Sequence, residues 1–134
     1  MAHKYVLDTH ALVWHLEGNP RLGPQAGKII DDPLSELVLP LIALAEAAYI
    51  VERQRTAIPT VPDLLRSVLA DSRISIFPMI WEVFEASLRA SVVPEMHDRL
   101  IVGTALHLQS LGDTVSLLTK DSTIIAADLV STLW

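Results

Sequence analysis

Four acidic side chains stand apart from the rest of the sequence by where they fall: Asp8, Glu46, Asp98 and Asp121. Asp8 follows the apolar run Tyr5-Val6-Leu7, and helically spaced apolar residues resume at Ala11, Leu12 and Leu16. Asp121 follows "LLTK" and precedes "STII" in the same way. Each is a good helix N-cap; each is equally placed at the carboxyl end of a strand, where open α/β sheets build their ligand sites. Asp98 opens a helix in "PEMHDRLIVGTAL" and shares a face with Ile101, Val102 and Ala105. An acid in a first turn suits the helix dipole, but its apolar face-mates point inward. Glu46 is the only charged side chain in "LIALAEAAYIV", with Ile42, Tyr49 and Ile50 on its face. A buried carboxylate without a counter-charge costs several kcal/mol, so Glu46 is expected to meet a cation or to line a cleft.

Four carboxylates converging on one cleft repel one another and raise each other's pKa. A divalent cation relieves that repulsion, and an oxygen-rich site without thiolates suits Mg2+ or Mn2+. The expected chemistry is therefore activation of water and stabilisation of developing negative charge by a hard metal ion.

These residues need a scaffold that delivers strand ends and helix starts to one edge. Strand signals at residues 3–7, 36–39, 73–77, 115–119 and 130–134 alternate with helical spacing at 9–17, 24–31, 41–55, 61–70, 80–90, 97–111 and 121–128. Gly18-Asn19-Pro20 and Asp32-Pro33 end the first two helices, and Pro40 is expected in the first turn of the third. Strands separated by helices require crossover connections. The fold class is α/β, a three-layer α/β/α sandwich around a mostly parallel central sheet. At 134 residues, with no linker or repeat, one domain over 1–134 is expected.

Composition narrows the function. The chain is 51% hydrophobic with a mean hydropathy of +0.40, which excludes disorder and points to a homo-oligomer or a tight partner. With no cysteine, disulfides, cysteine zinc sites and thiol nucleophiles are excluded, and a cytoplasmic location is expected. No signal peptide or membrane span is read, since the longest apolar stretch, 37–51, is interrupted by Pro40 and Glu46. A net charge of −6 is unlike a non-specific nucleic-acid binder. No zinc-binding histidine pair, phosphate-binding loop, dinucleotide fingerprint or serine-hydrolase elbow occurs. The histidines read as structural or surface residues, with His97 the exception to watch beside Asp98, and the tryptophans read as core or interface.

With "VLDTHALVW", the lone Glu46 in "LIALAEAAYIVE", "HDRLIVGTAL" at 97–106 and "LLTKD" at 117–121, the chain resembles a PIN domain, specifically a VapC-type toxin of a bacterial toxin–antitoxin pair. The resemblance covers nearly the whole length. It implies an Mg2+- or Mn2+-dependent endoribonuclease, a homodimer, and a small antitoxin that blocks the cleft. The acidic quartet of such proteins falls on Asp8, Glu46, Asp98 and Asp121, and the orienting threonines on Thr9 and Thr119. Arg99 and Lys120, next to quartet acids in sequence, are candidates for phosphate contacts. Three alternatives compete: a PIN-fold nuclease that processes RNA outside a toxin pair, a non-catalytic interaction module, and a phosphotransfer enzyme using Asp8 as nucleophile. The last is disfavoured because His10 stands where such phosphatases carry a second aspartate.

Overall fold

In the computed structural model, which describes residues 2–134, five strands form one sheet: β1 (His3–Leu7), β2 (Glu36–Pro40), β3 (Ile74–Phe77), β4 (Thr114–Leu118) and β5 (Ser131–Leu133). Their spatial order is β3-β2-β1-β4-β5, and every neighbouring pair is parallel. Seven helices connect and cover them: α1 (Thr9–Glu17), α2 (Pro24–Asp31), α3 (Leu41–Glu52), α4 (Val61–Ala70), α5 (Trp81–Ser87), α6 (Met96–Ser110) and α7 (Ser122–Ala127).

Burial follows from that order. Leu37 to Pro40 in β2 and Val115 to Leu118 in β4 are buried without alternation, as are Val6 and Leu7 at the end of β1. Continuous burial is the mark of parallel strands covered on both faces. The outermost strands β3 and β5 are only partly buried. No helix among the described residues is long and apolar enough to cross a membrane.

Local signals set the element boundaries. Asp8 caps α1, which ends on Gly18 in the left-handed region at φ 63°. Thr60 caps α4 and Asp121 caps α7. Several expected boundaries shift by a residue or two, and three differences have a local cause. Pro40 closes β2, in register with Phe77 of β3, and precedes α3, because its nitrogen lacks the proton needed to continue the ladder. α3 stops at Glu52 rather than 55, since Gln54 turns to φ 54°. The helix expected over 80–90 divides into α5 and a 3₁₀ turn, Leu88–Ala90. α6 passes α5 closely at Gly103: a Cβ there would sit 2.7 Å from the Val83 carbonyl oxygen and 2.9 Å from the Ser87 nitrogen.

Candidate functional site

The chain leaves β1 toward β2 on one side and returns to β4 on the other, so the winding direction reverses between β1 and β4. Crevices that bind ligands open at such a reversal, beyond the strands' carboxyl ends. Leu7 and Leu118 pair across it as the last residues of their strands. Asp8 and Thr119 are therefore neighbours by register, although far apart in sequence.

Their hydrogen bonds fix the floor of the crevice. Asp8 Oδ1 accepts from the Thr9 backbone N–H at 2.7 Å, and Asp8 Oδ2 accepts from the Thr119 hydroxyl at 2.5 Å. Thr119 Oγ1 in turn accepts from the Asp121 backbone N–H at 3.0 Å. Asp121 Oδ1 takes the capping bonds of α7, from the backbone N–H groups of Thr123 and Ile124, and accepts the Thr123 hydroxyl as well. From α3, Glu46 Oε1 accepts the Thr9 hydroxyl at 2.8 Å. Each threonine thus holds one carboxylate in place. Neither oxygen of Asp98, in the first turn of α6, accepts a hydrogen bond among the described residues.

An open cavity of about 430 Å³ is lined by all four acids, Asp8, Glu46, Asp98 and Asp121, together with Thr9 and Lys120. The potential inside it is strongly negative. Asp98 is pushed up to about 7, by partial burial first and then by Asp8, Asp121, Glu95 and Glu46. Burial also raises Asp8 and Glu46, against the lowering effect of their threonine hydrogen bonds. At Asp121 partial burial pushes upward, but the bonds from Thr123 and Ile124 outweigh it and hold the carboxyl below its ordinary range.

Two further groups at this cleft escaped the sequence reading or were only half seen. Glu95 caps α6 through the Asp98 N–H at 3.1 Å and shares a 2.6 Å hydrogen bond with His97 Nδ1. His97 Nδ1 also lies 3.9 Å from Glu46 Oε2, and the pairing with Glu95 raises the imidazole's pKa. Candidate ligand atoms of Glu46, Glu95 and His97 all lie within 4.8 Å of one another. Among the described residues no set of three quartet acids is packed as tightly. The signal for Glu95 was local: a glutamate three residues before Asp98 at a helix start, masked by the rarity of Glu as an N-cap.

Arg99 does not join the cleft. Its guanidinium donates to the carbonyl oxygens of Val93 at 2.5 Å and Ser91 at 3.0 Å, because the turn before α6 leaves those acceptors unpaired. Lys120 lines the cavity with its ammonium 4.5 Å from the centroid of the Trp14 ring. Trp14 is core, Trp134 lines the cleft, and Trp81 lies 65% exposed on α5 rather than in the interior.

The family described as PIN domain matches residues 5–128. No curated protein matches the sequence significantly. Solved structures with similar folds include a toxin–antitoxin complex from Klebsiella pneumoniae (18% identity, TM-score 0.68, covering 97% of this chain and 96% of that one). VapBC2 from Rickettsia felis, bound to a DNA fragment from its promoter, aligns at 14% identity with a TM-score of 0.69 over 97% of both chains. FitAcB from Neisseria gonorrhoeae aligns at 20% identity with a TM-score of 0.61 over 97% of this chain and 96% of that one.

Proposed function

The chain belongs to the PIN domain family, and from that premise we propose that it is a Mg2+- or Mn2+-dependent endoribonuclease, the toxin of a toxin–antitoxin pair. One observation carries the reading: four carboxylates from four different segments line one cleft at the sheet's switch point, where partial burial first, and then the acidic neighbours, push Asp98 up to about 7. Evolution of a stable fold alone has no use for such a cluster, which costs free energy until a cation enters it.

The donor set fits a hard divalent ion. All four side chains offer carboxylate oxygen, and no thiolate is present to favour a softer metal. Asp8, Asp98 and Asp121 would hold the ion, with Glu46 joining directly or through water. The free oxygens support this assignment. Asp121 spends Oδ1 on the cap of α7, Glu46 spends Oε1 on Thr9, and Asp98 keeps both of its own. Such an ion, when bound, supplies an acidified water near neutral pH and a positive charge opposite the phosphate.

The protein's own groups do the positioning. Thr119 fixes the Asp8 carboxylate from the side of β4, and Thr9 fixes Glu46 from the start of α1. Lys120, held over Trp14 at the cleft wall, is placed to meet a phosphate oxygen of the RNA. Two bound divalent ions would offset the formal charge of the quartet and leave the chain only mildly acidic. Affinity for RNA is then modest and falls with added salt.

Exposed apolar side chains support an assembled state. Trp81, Phe84 and Leu88 recur at helical spacing along α5 and its 3₁₀ extension, with Val92 beyond. A homodimer and a small antitoxin are the partners this reading assigns, in the cytoplasm. The deciding experiment incubates purified chain with single-stranded and structured RNA in Mg2+ or Mn2+, with and without chelator. Cleavage that chelator stops, and that Asp8→Asn abolishes while circular dichroism stays native, supports the proposal. Equal cleavage by Asp8→Asn, or no cleavage under any metal condition, overturns it; the latter outcome leaves a non-catalytic interaction module.

A further inference from the structure

α3 has two apolar faces. Ala43, Leu44, Ala47 and Val51 are buried in the core. Ile42, Ala45, Tyr49, Ile50 and Arg53 recur at intervals of three and four residues on the same side as Glu46. A helix with one face in the core ordinarily turns polar groups outward; here the charges on this side are Glu46 and, at its C-terminal end, Glu52 and Arg53. Ile42, Ala45, Glu46, Tyr49 and Ile50, with His97 of α6, wall an open groove of about 510 Å³. The groove runs into the acidic cleft, because Glu46 and Ile50 line both. Tyr49 is 53% exposed, and the Arg53 guanidinium carbon lies 4.7 Å from the centroid of its ring. One face of the ring is covered by that cation, which leaves the other for a flat partner.

We propose that this groove is a nucleobase subsite for single-stranded RNA. A base next to the phosphate in the acidic cleft stacks on Tyr49 between Ile42 and Ile50, and Arg53 meets the adjoining backbone. The assignment to RNA rests on the nuclease reading. Three observations favour a nucleotide as occupant. The groove is continuous with the cleft. Tyr49 follows Glu46 by three residues, about 4.5 Å along the helix axis, the order of one nucleotide step. A cation stands at the aromatic shelf while the chain as a whole carries −6. A protein this acidic gains little from bulk attraction to a polyanion, so grip on its substrate has to come from stacking and from a few placed charges.

The test uses a single-stranded 12-mer RNA carrying the fluorescent base 2-aminopurine at successive positions. Binding is read in Ca2+, and cleavage of the same RNA in Mg2+ or Mn2+. Wild type quenches the fluorophore at one position. Tyr49→Ala abolishes the quench and weakens binding about tenfold, with KM raised and kcat nearly unchanged. Tyr49→Phe, which keeps the ring, retains both. An abasic nucleotide at the quenched position removes the difference between wild type and Tyr49→Ala. Equal binding by wild type and Tyr49→Ala overturns the subsite, as does a loss in Tyr49→Phe as large as in Tyr49→Ala. So does a Tyr49→Ala effect confined to binding of the antitoxin, which would make the groove a protein-docking site. The two proposals fail separately. Wild type that quenches the probe but cuts no RNA keeps the subsite and loses the nuclease, and wild type that cuts RNA without any quench does the reverse.

Discussion

Asp98→Asn is expected to stabilise the metal-free protein. In the folded chain the Asp98 carboxyl is raised from 3.8 to about 7 by partial burial and by Asp8, Asp121, Glu95 and Glu46. Its unfolded counterpart titrates near the ordinary value. Between those two pH values the folded state binds the extra proton, so stability falls as pH rises through that window. At about 1.36 kcal/mol per pH unit the loss has a ceiling of roughly 4 kcal/mol. Asp98 is only half-buried and solvent screens part of the field, which brings the expected penalty to about 2 kcal/mol. The isosteric amide removes it. For a chain of this size that is a rise in Tm of about 6–8 °C at pH 8 in chelator. On acidification to pH 5 the wild-type carboxyl is protonated, and the gain shrinks by more than half. Added Mn2+ acts oppositely: it raises the Tm of the wild type far more than that of Asp98→Asn, since binding to the folded state alone stabilises it. Thermal melts of both proteins at pH 5 and pH 8, with and without Mn2+, contain every arm. A variant no more stable than wild type at pH 8 in chelator, or an advantage that grows on acidification, would refute the claim that these carboxylates share one field.

Thr119→Val removes the hydroxyl that holds Asp8 Oδ2 while keeping the shape of the side chain. RNA cleavage is expected to fall about 10- to 100-fold in kcat/KM with the fold intact, as for other groups that orient metal ligands; steady-state kinetics in Mn2+ reads this directly. Gly103→Ala drives a methyl group against the backbone of α5 at Val83 and Ser87, which cannot move aside as a flexible side chain would. A loss of about 2–3 kcal/mol in urea unfolding is expected, with the acidic cleft's metal response retained in the fraction that folds.

Much of this architecture is legible in the sequence because its signals are local. α1 is bounded by an aspartate cap and a left-handed glycine, α2 by Pro24 and Asp32-Pro33, and both run over the residues their periodicity marks. The parallel sheet follows from helices between strands, and Asp8, Glu46, Asp98 and Asp121 each break an apolar pattern in a place that packing alone does not require. What escaped the sequence depended on three-dimensional company. Arg99 sits beside Asp98 in the chain, but a helix turns successive side chains about 100° apart, and unpaired carbonyls at Ser91 and Val93 capture its guanidinium instead. Glu95 has no apolar face-mates to mark it, and its place in the cleft depends on the angle at which α6 enters. Trp81 reads as core or interface, and only the packing of α5, which leaves that ring exposed, decides between the two.

A helix-capping duty and a place in the cleft are compatible for Asp8 and Asp121, and the oxygen count shows why. A carboxylate offers about four acceptor positions. Capping α7 occupies Asp121 Oδ1 alone and, by anchoring that oxygen to Thr123 and Ile124, fixes the direction of the other. Asp8 divides its bonds between Thr9 and Thr119, each leaving a second lone pair on its oxygen. A cap is thus a means of aiming a carboxylate rather than a rival account of it. Strand ends followed directly by helix starts supply two aimed acids at the switch point. α3 and α6 supply Glu46 and Asp98 with less restraint, and Asp98, with no hydrogen bond to share its charge among the described residues, is the group left at about 7. The least-satisfied carboxylate in the cleft is where the stability of the protein should respond most to an incoming cation.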